Sequence, residues 1–159
     1  YLVQEMAKHQ GISYLRLTRG ATSVIYEKGE EFPIGQLKVL CKSSKDKALV
    51  IGAGITVHEA LNAYHLLKKR DIAIRVIDLY SIQPLDEKAL LKNAKECSNK
   101  VIIVEDHYAN GIGNKVAEVL GKIMHLYVKE IPRSGKPQEL MHMYGIDAEA
   151  IVKAVEETI

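Results

Sequence analysis

Val101–Gly121, VIIVEDHYANGIGNKVAEVLG, is the stretch that decides the fold. Val101–Val104 is an unbroken β-branched run, too short for a helix and too apolar for a strand with one wet face. It reads as a strand buried on both sides, as in a mainly parallel sheet. The run stops at Glu105, Asp106 and His107. Asn110, Gly111 and Gly113 predict a turn, because these residues tolerate positive φ. Beyond Ile112, the residues Val116, Val119 and Leu120 follow helical spacing. The order is therefore strand, polar tip, glycine turn, helix. Open α/β sheets gather functional groups at the carboxyl ends of their strands, where the three ionisable residues fall.

Outward from this unit the same alternation repeats. Upstream, Gln36–Cys41 alternates weakly and suits an edge strand, and Ala48–Ala53 is a second buried strand. Thr56 with Glu59 predicts a capping box opening a helix that runs to about Lys69. Ile72–Asp78 is the next strand, and Pro84 and Asp86 open a further helix. Downstream, Met124–Ile131 reads as the last strand and Pro132–Pro137 as a loop. Pro137 suits a helix's first turn and Gly145 its end. Asp147 caps a terminal helix with Ala150, Ile151, Ala154 and Val155 on one face. Strands separated by helices predict βαβ units in a mainly parallel sheet of about five strands, with helices on both faces.

The first part of the chain differs. Leu2, Val3 and Met6 have helical spacing, Gly11 ends that helix, and Ile12–Leu17 reads as a strand closed by Thr18, Arg19 and Gly20. A lone helix and strand cannot bury their own apolar faces, so they read as the last piece of a preceding domain. Residues 21–33 show no sustained period and read as a linker.

Composition bounds the function classes. The 159 residues amount to one domain, or one domain with a piece of another. An apolar fraction of 47% supports a real core. The net charge of +2 comes from interspersed acids and bases, which argues against a nucleic-acid partner. No apolar run approaches the roughly 18 residues of a membrane span. The two cysteines, Cys41 and Cys97, have no metal-like spacing and fit free thiols of a reducing cytoplasm. The chain opens at Tyr1 without a methionine, which fits a cut piece of something longer.

Several groups could carry chemistry. Gly52-Ala53-Gly54 lies between a strand and a helix, and Asp78 ends the next strand, about where a ribose-binding acid stands in a dinucleotide fold. Val57 occupies the third glycine position, so a tight turn that serves only the backbone is the competing explanation. Glu105, Asp106 and His107 form an acid–base cluster with no nucleophile placed beside it. Alternation along an extended chain puts Glu105 and His107 on one side and Asp106 on the other. The alternative for the three is a polar rim packed on another subunit. His58 and His65 lie seven apart, longer than the spacing of helical metal pairs, and read as surface or interface residues. Arg133, Ser134 and Lys136 precede a helix start and form a possible anion nest, or a solvated loop. Arg19 follows a strand end and is either a phosphate clamp or a surface arginine.

Taken together, TRG after a strand, IGAGITVHEAL, IRVIDLYSIQPLD, VEDHYANGIGNKVAE and IPRSGKPQELMHMYGID resemble the C-terminal end of transketolase. They come in the family's order and cover nearly the whole chain from Ile12 onward. Deoxyxylulose phosphate synthase and the beta subunit of 2-oxo acid dehydrogenases share the fold. They typically carry EEG-like residues in place of Glu105-Asp106-His107 and lack the RSGKP segment.

The resemblance implies a three-layer α/β/α fold with a five-stranded, mainly parallel sheet and one antiparallel edge strand. It implies that residues 1–33 are the tail of a pyrimidine-binding domain plus a linker, and residues 34–159 the transketolase C-terminal domain. The complete enzyme would move a two-carbon ketol unit between sugar phosphates, using thiamine diphosphate with magnesium or calcium. The family's diphosphate motif, GDG, does not occur in this chain, and the activating glutamate belongs to the missing body of the second domain. The chain alone is therefore expected to bind no cofactor and no metal and to be inactive. Its expected partners are the remaining transketolase domains or N-terminal section, and a second copy in a cytoplasmic homodimer. Arg19 matches the family's substrate-phosphate arginine, although Thr-Arg-Gly stands here where many members have Ser-Arg-Pro. No catalytic residue matches. Glu105, Asp106 and His107 are expected at an interface. A free-standing interaction or regulatory module of the same fold, and a nucleotide-binding domain, are the alternatives.

Overall fold

The computed structural model describes residues 1–18 and 20–159. Position 19 lies outside the described residues, and with it the phosphate-binding assignment of Arg19. Five strands form one sheet: β1 (Lys38–Cys41), β2 (Leu49–Gly52), β3 (Arg75–Asp78), β4 (Val101–Val104) and β5 (Met124–Leu126). Their order is β1-β3-β2-β4-β5. β1 runs antiparallel to β3, and the other neighbours are parallel. The expected mixed sheet with one antiparallel edge strand is thus present.

β2, β3 and β4 are buried along their whole lengths, as their continuous apolar runs require. Side chains alternate between two cores. Val50, Val76, Ile102 and Val104 face one side with Ala60, Ala63 and Leu67 of helix α2 (Ile55–Lys68) and Ile151 and Val155 of helix α6 (Ala148–Thr158). Leu49, Ile51, Ile77 and Ile103 face the other, with Leu90 and Ala94 of helix α3 (Glu87–Glu96) and Ile112 and Val116 of helix α4 (Ile112–Leu120). Helices therefore cover both faces. Two shorter helices, α1 (Leu2–Lys8) and α5 (Pro137–Met143), complete the set.

Some local expectations need correction. Ile12–Leu17 forms no strand, because it has no neighbouring strand to complete its backbone hydrogen bonds. The strands expected over 48–53, 72–78 and 124–131 are shorter at 49–52, 75–78 and 124–126. The capping box is absent. Gly54, at φ 62°, is the N-cap of α2, and Thr56 sits inside the first turn. Glu59 instead accepts the Ala148 N–H at 2.9 Å, tying α2 to the start of α6. Asp86 and Asp147 do cap as expected, accepting from Ala89 N–H at 3.0 Å and Ala150 N–H at 2.9 Å. Within residues 26–33, Phe32 is buried, edge-on to Tyr26 and Tyr80, while Glu27, Lys28, Gly29 and Glu31 are exposed.

Candidate functional site

The carboxyl ends of the parallel strands gather the polar groups. Gly52 and Asp78 are paired in register, so the glycine turn and the acid meet at one edge. A Cβ on Gly52 would lie 2.9 Å from the Thr56 carbonyl carbon, which explains that glycine through close approach of strand and helix. The Thr56 hydroxyl is 2.9 Å from the Val104 carbonyl and accepts the Ala53 N–H at 3.1 Å. It stitches β2 to β4 where the strand order reverses.

Residues 16–18 and 20–26 lie against this edge as a strap, fastened at three points. Arg16 donates to the Asp106 carbonyl at 2.8 Å, and Ser23 Oγ lies 3.3 Å from His58 Nδ1. Tyr26 donates its hydroxyl to Asp78 Oδ2 at 2.5 Å. A cleft of about 290 Å³ remains between strap and sheet, lined by Thr18, Ser23, Tyr26, Gly54, His58 and Asp78 among others. Asp78 is only 7% exposed, and its Oδ1 has no hydrogen-bond partner among the described residues. Burial pushes its carboxyl above the usual range, against the Tyr26 hydrogen bond. Burial and the Asp78 charge push the Tyr26 phenol up as well. The sequence-level pairing of Gly52-Ala53-Gly54 with Asp78 is real in space, and the chain's own tyrosine holds one oxygen of the acid.

At the tip of β4 the three ionisable residues separate. Glu105 is 2% exposed, Asp106 half-buried and His107 exposed, so Glu105 and His107 do not share a side as alternation predicts. The reason is that β4 ends at Val104, and the chain turns before alternation can continue. The Glu105 carboxylate accepts N–H bonds from Ile112 at 2.7 Å and Gly113 at 3.2 Å, and His125 Nε2 lies 2.5 Å from it. It serves as a cap on the start of α4 from a distant position. The expected turn is present over 109–111, but Gly111 and Gly113 are not at positive φ. Each instead makes room. A Cβ at 111 would lie 2.1 Å from Glu105 Oε2, and one at 113 would lie 2.1 Å from His125 Cε1.

The remaining candidates lie apart. Arg133, Ser134 and Lys136 are exposed; the Arg133 N–H donates to the Tyr144 hydroxyl at 2.7 Å, and Lys136 is 3.5 Å from Glu139. His58 is half-buried under the strap, whereas His65 is exposed. Burial pushes the Cys97 thiol up to about 11, so it is inert, and burial raises the Cys41 thiol too. Among the described residues no helix is long and apolar enough to cross a membrane. Arg16, Tyr26 and His125 escaped the sequence reading. Each acts on a residue far away in the chain, and no local spacing signals that.

Comparison with known proteins gives the same placement. The family model "Transketolase, C-terminal domain" matches residues 35–151. Human transketolase is 46% identical over 163 residues, covering 99% of this chain and 26% of that protein. Bovine transketolase-like protein 1 is 45% identical over 159 residues, covering 96% of this chain and 27% of that protein. A solved structure described as a split gene transketolase, inactive β4 tetramer, superposes with a TM-score of 0.91 at 30% identity. That match covers 99% of this chain and 53% of the other. The chain spans about a quarter of the length of these curated relatives.

Proposed function

The chain belongs to the transketolase family, matching its C-terminal part, and from that premise we propose that it is one section of an enzyme that moves two-carbon ketol units between sugar phosphates. Residues 1–33 are the tail of the pyrimidine-binding domain with a linker, and residues 34–159 are the C-terminal domain. The observation that carries this reading is an apolar segment left in water. Ile12, Tyr14 and Leu17 are each more than three-quarters exposed, as is Val24 on the strap. Such a row is costly without a partner, and the body of the preceding domain would cover it.

The residues present do not fit the family's cofactor. The single three-residue grouping found among the described residues, His142, Asp147 and Glu149, lies in and beside the α5–α6 turn. Asp147 already accepts from Ala150 there and lies 2.7 Å from His142 Nδ1. Thiamine diphosphate and its magnesium or calcium therefore belong to the remaining sections, and the chain's part is assembly, including the homodimer. Asp106 and His107, exposed or half-exposed at the tip of β4, suit a subunit contact, and Arg19 a substrate phosphate. The complete enzyme is placed in the cytoplasm.

Thermal melting of the chain with and without thiamine diphosphate and magnesium tests the cofactor assignment. No shift is expected. A saturable rise of several degrees, as ligand linkage produces, would reject it.

A further inference from the structure

The strap is fastened to the sheet edge by groups distant in sequence. Arg16 holds the Asp106 carbonyl, Ser23 meets His58, and Tyr26 holds Asp78. The first two contacts are exposed, and the third is partly buried. Asp78 is more than nine-tenths buried; Tyr26 donates to its Oδ2, and its Oδ1 has no partner among the described residues. Removing the tyrosine hydroxyl takes from this buried carboxyl the donor that Oδ2 holds, so this contact matters more than the exposed ones. Phe32 packs edge-on against the Tyr26 ring, and Tyr80 packs edge-on against Phe32 in turn. Immediately upstream of the strap's anchors are Ile12 and Tyr14, with Leu17 between Arg16 and Tyr26.

We infer that Tyr26, through Asp78, is a positioning residue for assembly, holding residues 12–17 at the sheet edge for the section of transketolase that precedes this chain. The inference rests on the proposed function. The occupant is fixed by what lies outside the chain. The match covers 26% of human transketolase, and residues 12–17 stand on the N-terminal side of the matched 35–151 domain. Residues 12 and 14 share one side of an extended chain and residue 17 takes the other, so a strand inserted there buries apolar groups on both faces. A latched strap meets its partner with most of its ordering entropy already lost, which favours assembly.

Amide hydrogen exchange on the complete enzyme tests this. In the wild type, the amides of residues 12–17 are expected to be protected. Tyr26→Phe, which keeps the ring, should lower that protection by about tenfold, the scale of one hydrogen bond to a charged group. Amides of β2 and β4 should be unchanged. Asp78→Asn keeps an acceptor oxygen and should stay near wild type, while Asp78→Leu should fall with Tyr26→Phe. Unchanged protection at 12–17 in Tyr26→Phe would overturn the inference while leaving the proposed function intact. An equal loss across β2 and β4 would also overturn it, as a general destabilisation. Unprotected amides at 12–17 in the wild type would reject the proposed partner, and this inference with it.

Discussion

Replacing Glu105 with alanine should cost about 3–5 kcal/mol of stability, the sum of two buried donors left unpaired and a lost partner for His125. The Ile112 and Gly113 N–H groups, both buried, point at this carboxylate over 2.7 and 3.2 Å. Each unsatisfied donor costs about 1–3 kcal/mol. No solvent screening reduces the figure, because Glu105 is only 2% exposed. Glutamine keeps the volume and one acceptor oxygen, so Glu105→Gln should cost about 1–2 kcal/mol. Urea unfolding gives both values, and the alanine variant should melt roughly 10 °C lower. A loss below about 1 kcal/mol in Glu105→Ala would mean that the carboxylate does not hold α4. Glu105 would then return to the role of a contact residue for another subunit.

Two further outcomes are expected. Lys42 and Arg75 hold the Glu96 carboxyl down, at about 2. Its folded value is depressed, so its stabilisation is present above the ordinary value near 4.5 and is lost as pH falls toward 2. Glu96→Gln should flatten the fall in stability over that interval, and an unchanged acid profile would show that the pairs contribute nothing. Arg19→Ala in the complete enzyme should weaken phosphorylated sugars by about 1.5–3 kcal/mol and spare a non-phosphorylated acceptor. Equal losses on both would make Arg19 structural.

The sheet was legible because Val50, Ile77, Ile102 and their neighbours sit in continuous apolar runs that only a doubly covered strand explains. Asp86 and Asp147 were legible as caps because capping is local. Thr56 and Glu59 misled for the opposite reason. Their spacing fits a capping box, but tertiary partners at Val104 and Ala148 claim both side chains. Gly111 and Gly113 were legible as required glycines but not for the right cause, since the crowding comes from Glu105 and from His125 further along the chain. Asp78 was placed correctly at the edge by its strand. Its partner Tyr26, from a segment without periodicity, was not.

The central claim is that this chain supplies the assembly section of a transketolase whose cofactor chemistry lies elsewhere. Ketol transfer between sugar phosphates, measured with thiamine diphosphate and magnesium, tests it most directly when this chain and the preceding section are supplied separately and then mixed. Neither section alone should turn over, and the mixture should. Turnover by this chain alone, or a mixture as inert as its parts, would contradict it.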